Sequence, residues 1–303
     1  MPLSQVKGAT WVWTGPQAVG LVRVDDTHCI LLDPGSAKLF GAMEADLTAA
    51  GLIPVGVLCT HMHYDHHEST QAIRRTYGAA VCLPQGEADI VRSAQSLKNH
   101  LFCFSMGLVQ NTPRLQNLIG PVDRVITYGE NTVDFCGVPF RIIRTPGHSP
   151  DHICVITPDN VCFAGDALMT QDVLDSAKIP FAFDLADDLF SKQALGELDC
   201  DAWILCHNGV VRGSIAGLVQ ANLDRVRQQL AACAALVSGP MTFSQFYSAV
   251  IGAVGLAAGH PVRALYLERY IRPYLDYLVD TQVLELMEQD GAPAVRPKEA
   301  AHG

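Results

Sequence analysis

Short apolar runs separated by turn residues dominate the first part of the chain. Residues 11–13, 19–24 and 29–32 read as strands, with Asp25-Asp26 suited to a hairpin between the second and third. Residues 39–50 then place apolar side chains at helical spacing and stop at Gly51. A buried strand over residues 55–59 follows Pro54, and residues 68–77 read as a helix that Gly78 ends. Residues 79–83 are expected as a strand and 87–96 as a helix. A strand-rich stretch covers residues 124–163, and another apolar run covers 202–207. Two sets of mixed strands with helices outside them predict an α+β fold layered helix–sheet–sheet–helix.

From about residue 216 the pattern turns helical. Residues 218–237, rich in Ala, Leu, Gln and Arg, stop at Gly239-Pro240, and helices are expected over 242–259 and 261–288. Pro273 should kink or restart the last of these. Tyr266, Tyr270 and Tyr274 recur at four-residue spacing, the mark of a packed helix face, and residues 291–303 read as a frayed end. The chain therefore divides into a mixed strand-and-helix domain over 1–215 and a helical domain over 216–303. Residues 97–118 are either an extra core helix or an apolar insertion over the site. Phe181 and Phe183 are expected in the core, with the pocket wall as their alternative.

Chemistry concentrates where strands end. Residues 60–68 read Thr-His-Met-His-Tyr-Asp-His-His-Glu, which packs His61, His63, Asp65 and His66 onto what the pattern makes a strand-to-helix loop. Imidazole and carboxylate suit zinc, iron or manganese, and a set without cysteine argues against a closed structural zinc site. His148 follows the strand over 139–144, Asp166 follows 161–163, and His207 ends 202–207. All can converge on one sheet edge, with enough donors for two metal ions. His67 is expected to face outward on the first helical turn. His152 reads as a supporting residue, and His28, His100, His260 and His302 receive no role.

This ordered pattern resembles the metallo-β-lactamase-fold hydrolase superfamily over roughly residues 8–212. The resemblance implies a four-layer αββα sandwich and two divalent ions, zinc by preference with Mn or Fe as alternatives. It implies that His61, His63 and His148 bind the first ion, that Asp65, His66 and His207 bind the second, and that Asp166 bridges them. Asp33, in Leu31-Leu32-Asp33-Pro34-Gly35, matches a strand-end motif that supports ligands. The implied activity is hydrolysis of an ester, thioester or lactone by a hydroxide held between the ions, with Asp65 as catalytic proton carrier. A mononuclear iron persulfide dioxygenase using His61, His148 and Asp166 is the alternative. The C-terminal segment resembles the winged-helix-like domain that some members carry, read as a packing or homodimer element.

Composition narrows the partners. With 21 basic against 31 acidic residues and a formal charge of −10, phosphate neutralisation is poorly served, so a small molecule is expected rather than nucleic acid. No membrane span or secretory signal is evident in the pattern. Ten scattered cysteines without a Cys-x-x-Cys pair read as buried free thiols, which suggests the cytoplasm.

Overall fold

A computed structural model describes residues 3–298 except 208 and 258. Its first sheet runs in sequence order: β1 (Leu3–Lys7), β2 (Thr10–Thr14), β3 (Ala18–Arg23), β4 (His28–Leu32), β5 (Ile53–Leu58), β6 (Ala80–Pro84) and β7 (Arg124–Ile126). Strands β1 to β4 form an antiparallel meander, and β4 to β7 pair in parallel through helical crossovers. The second sheet holds β8 (Thr132–Phe135), β9 (Val138–Arg144), β10 (Ile153–Ile156), β11 (Val161–Phe163), β12 (Ala202–Leu205) and β13 (Gly209–Arg212). Here β11 and β12 are parallel and the other pairs antiparallel.

Period-two alternation sorts side chains between layers. In β4, Ile30 and Leu32 face the second sheet, where Phe140, Val155, Phe163 and Ile204 meet them. Leu31 and its counterparts Leu21, Val57 and Val81 face outward, under the helices Ala37–Ala49 and Thr70–Tyr77. On the far side Trp203 and Leu205 are covered by Leu195, Val219 and Leu223. The expected four layers are therefore present. Two glycines let the sheets approach closely: a Cβ at Gly20 would lie 2.8 Å from the Phe163 ring, and one at Gly56 would lie 2.7 Å from Phe135. Strands β1 and β13 were not anticipated; both lie at sheet edges, where exposed polar positions interrupt the apolar pattern.

The C-terminal segment is less helical than its composition suggests. Its order is helix Ala216–Ala235, β14 (Met241–Thr242), helices Phe243–Ala253 and Pro261–Asp280, then β15 (Leu284–Gln289) and β16 (Ala292–Pro297). The strands pair as β14–β16–β15, a winged-helix arrangement. Two expectations are corrected. The helix over 261–288 ends at Asp280 and gives way to a strand, and Pro273 does not restart it. The frayed end is instead strand β16 at the centre of the small sheet, with Val295 fully buried; residues 299–303, including His302, lie outside the described residues. Asp290 and Gly291, with φ of 52° and 77°, make the left-handed two-residue turn between β15 and β16.

Candidate metal centre

Five strand ends open on one edge of the sandwich. Strands β4 and β5 stop side by side, with Leu32 paired to Leu58, so Asp33 and the Thr60–His61 step emerge together. Opposite them, β9 leads to His148, β11 to Asp166 and β12 to His207. The His61–His66 run is only partly a loop. His61 and His63 precede the one-turn helix Tyr64–His67, and that helix carries Asp65 and His66. A helical turn rotates successive side chains by about 100°, which separates the two pairs in direction.

All seven predicted residues come together. His61, His63 and His148 form one group and Asp65, His66, Asp166 and His207 another, each with ligand-type atoms within 4.8 Å of one another. Nδ1 of His63 lies 3.0 Å from Nε2 of His148. Asp166 touches both groups: its Oδ2 is 3.2 Å from His66 Nε2 and 3.4 Å from His148 Nε2, and its Oδ1 is 3.4 Å from His207 Nε2. Oδ2 of Asp65 lies 3.8 Å from Nε2 of both His66 and His207.

Supporting hydrogen bonds fix which nitrogen faces inward. The Asp33 carboxylate accepts from the Thr60 amide at 2.6 Å, the Thr60 hydroxyl at 2.6 Å and His66 Nδ1 at 2.8 Å. Because the Thr60 hydroxyl donates to Asp33, it accepts from His61 Nδ1 at 2.9 Å. His61 and His66 thus both present a bare Nε2 to the centre. His152 accepts the Asp166 amide on Nε2 and bonds Thr145 through Nδ1, so it is a support, as the sequence indicated. Gly165, at φ 52°, passes so close to His152 and Thr60 that a Cβ would lie 2.6 Å from each.

The electrostatics fit a cation site. Burial and neighbouring imidazoles hold His61 and His63 well below the ordinary histidine range, leaving neutral donors. Burial opposes charge on His66, but the carboxylates of Asp166 and Asp65 more than offset it and raise its pKa. The Asp166 carboxylate, 3.4 Å away, likewise raises His207, and these imidazoles hold Asp166 well below the usual carboxylate range despite its burial. Nε2 of His61, Nε2 of His66 and Oδ1 of Asp166 are buried without a protein hydrogen bond. Buried polar atoms left so are costly. A cation would satisfy all three, so the donor set fits divalent ions of the Zn, Mn or Fe kind.

Two expectations change. His67 does not face outward: it is fully buried, with Nδ1 3.4 Å from Cys59 Sγ, and burial pushes its pKa down to about 4. Phe181 is not simply core, since its ring lies 5.4 Å from His63 and 5.5 Å from His148; Phe183 is exposed and stacks on His100. Residues 97–118 follow the core reading, as several short helices rather than one. They form helical turns whose Leu97, Leu101 and Phe104 are buried in the first core, while Phe104 also meets Tyr266 of the C-terminal segment.

Sequence reasoning missed Glu87. This fully buried carboxylate accepts the Ser149 hydroxyl at 2.7 Å, the Asp151 amide at 2.9 Å and the Met62 amide at 3.1 Å. It therefore ties the loop bearing His61 and His63 to the loop bearing His148. Its only signal was a Glu three residues past the end of a strand.

Residues 12–207 match the metallo-beta-lactamase superfamily, and the chain belongs to it. By class it is a metal-dependent hydrolase. The chain is 25% identical over 297 residues to an atrochrysone carboxyl ACP thioesterase of Passalora fulva, covering 91% of this chain and 74% of that relative. It is 24% identical over 161 residues to a hydroxyacylglutathione hydrolase of Shewanella pealeana, and that match spans 53% of this chain and 48%, about half, of the relative. A metallo-beta-lactamase family protein of Thermus thermophilus shares the fold with a TM-score of 0.71 at 20% identity, over 93% of both chains. A beta-lactamase domain protein of Burkholderia ambifaria does so at 0.69 and 17% identity, over 97% and 94%.

Two predictions follow from the geometry. His66→Ala should lower metal content, whereas His67→Ala should keep it and lose about 2–4 kcal/mol of stability through the cavity it leaves. Metal analysis with chemical denaturation separates these, and metal loss in His67→Ala alone would reverse the assignment. Burial pushes Glu87 up to about 7 from 4.5, so its folded form holds a proton that its unfolded form has released. Its contribution is complete below pH 4.5 and is lost as pH rises through 7, a change of about 3 kcal/mol. Denaturation of wild type and Glu87→Gln across that range should show the wild type losing ground by that amount; parallel curves would refute it.

Proposed function

We propose that the chain hydrolyses an ester, thioester or lactone of a small molecule at a two-metal centre. The observation that carries this reading is the single Asp166 carboxylate set between two donor groups, His61/His63/His148 and Asp65/His66/His207. A mononuclear iron chemistry would leave the second group unused, although Asp33 holds His66 with Nε2 aimed inward. The thioesterase and hydroxyacylglutathione hydrolase relatives support acyl transfer to water. Divalent cations at these residues would supply Lewis acidity and an ionised water near neutral pH.

The chain's own groups divide the remaining work. Asp65 is the most exposed of the acidic groups, with a side chain 31% accessible against 6% for Asp166. It can therefore take a proton at its Oδ2 and hand it to a departing alkoxide or thiolate. Phe181, against His63 and His148 and itself covered by Tyr270 at 4.7 Å, keeps water from the acyl side.

Elemental analysis of active protein should find about two divalent ions per chain, with turnover of a simple thioester lost on chelation and restored by zinc or manganese. A single iron and oxygen-dependent turnover would replace this reading with the dioxygenase one. Asp65→Asn retains an oxygen but removes the base. With metal saturating, turnover should fall by ~10²–10⁴-fold on poor leaving groups and much less on activated aryl esters. Equal losses on both would leave Asp65 a ligand only.

A further inference from the structure

Among the described residues, one cation near the centre has no counter-charge. Arg269, on the helix Pro261–Asp280, donates from one terminal nitrogen to Nε2 of His100 at 3.0 Å, and among the described residues it forms no ion pair. Its neighbours on that side behave differently: Arg114 lies 3.8 Å from Glu68, and Arg272 lies 2.6 Å from Asp276. Arg269 is half-buried all the same, and burial lowers its pKa while Cys103, Tyr266 and Tyr270 favour the charge. In a chain of net charge −10, acidic partners are not scarce. A desolvated guanidinium held by a neutral acceptor keeps its charge available for something else.

The acceptor is suited to that purpose. Burial, then Arg269 itself, pushes His100 down to about 3, so the imidazole is neutral and orients the guanidinium without cancelling it. His100 is braced by the stacked Phe183 ring at 5.7 Å. The pair lies beside the rings that border the metal centre: Phe183 stacks on His100, and Tyr270, the residue after Arg269, packs at 4.7 Å on Phe181, whose ring lies 5.4 Å from His63. A substrate lying on Phe181 and Tyr270 would therefore bring its far end to Arg269.

We propose that Arg269, positioned by His100, is a subsite for a carboxylate carried by the substrate away from its scissile bond. This narrows the proposed acyl hydrolysis to anionic esters or thioesters and rests on that reading. The carboxylate could lie on the acyl chain or on the leaving thiol; Arg269 recognises it by charge-assisted, bidentate hydrogen bonding in either case.

The test uses the metal-loaded full chain and paired thioesters. Glutaryl and pentanoyl thioesters of N-acetylcysteamine differ by a carboxylate on the acyl side. Acetyl thioesters of 3-mercaptopropionate and N-acetylcysteamine differ by one on the thiol side. One pair should show KM lower for the charged member by roughly 10- to 100-fold, and the pair that does so identifies the source. Arg269→Gln, which keeps an N–H for His100, should erase the preference and leave kcat/KM for the neutral member within about twofold; Arg269→Lys should retain part of it. Equal KM values in both wild-type pairs, or an equal loss on charged and neutral members in Arg269→Gln, would overturn the subsite. Calorimetric titration with glutarate gives a readout without turnover. Binding that Arg269→Gln abolishes supports the subsite even if no thioester is cleaved, in which case the hydrolase reading alone fails. Binding that survives unchanged in Arg269→Gln belongs to the metals and counts against the subsite.

Discussion

The Asp33 carboxylate is the constraint from which the centre's geometry descends. It sits where β4 ends, in a left-handed conformation (φ 48°) that costs a non-glycine residue of order 1–3 kcal/mol. Fully buried, it needs several donors, and Thr60 and His66 provide three. Those bonds settle the tautomers of His61 and His66 in one stroke, because each ring commits its Nδ1–H to the Asp33 network. The strain is thus exchanged for two imidazoles whose free lone pairs point the same way. The parallel pairing of β4 and β5 makes the arrangement possible, since it delivers Asp33 and Thr60 to the same edge in register.

Three ionisable groups around the centre differ in how fully they are answered, and the difference separates their roles. Asp33 meets three donors from Thr60 and His66 and a fourth in the Cys206 thiol at 3.8 Å, and is a fixed brace. Glu87 also meets three, all of them neutral, and burial keeps its proton close to physiological pH, so it ties two loops together at some cost in stability. Arg269 meets a single neutral acceptor. The less a buried charge is compensated by the protein, the more of its field is available to a ligand.

The clustering of the candidate ligands was legible because its chemistry is written locally, as imidazoles and carboxylates at strand ends with characteristic spacing. The four layers were legible from alternation in strands such as Ile30-Leu31-Leu32. What was not legible depends on distant pairing. Nothing near His100 announces Arg269, which lies 169 residues away, and Glu87 joins segments 25 and 62 residues distant. His67 was misjudged because Tyr64 and Asp65 take the solvent side of that single helical turn, and His67 turns the other way, toward Cys59. The strands β15 and β16 were hidden by their charged and small residues, although the Asp290-Gly291 pair is a recognised hairpin signal. That signal was outweighed by the helical pattern before it.

The turn at Gly147 has an effect on the modularity of the chain. Its carbonyl accepts the amides of Phe183 and Asp184, the Ser191 hydroxyl bonds Pro146, and at φ 125° the glycine lies so near Asp188 that a Cβ would sit 2.2 Å from its backbone nitrogen. The His148 loop therefore rests on the helix Leu185–Leu195. The start of that helix is rooted elsewhere: Ile179, Ala182 and Leu185 pack with Leu230, Phe246, Tyr274 and Val295, and the Tyr274 hydroxyl bonds the Pro180 carbonyl at 2.8 Å. A cut near residue 215, where the composition changes, would keep every side chain of the candidate metal centre and remove the footing beneath one of them. The two halves are separable as text but not as machinery, and a transplanted catalytic half would carry a loosened His148.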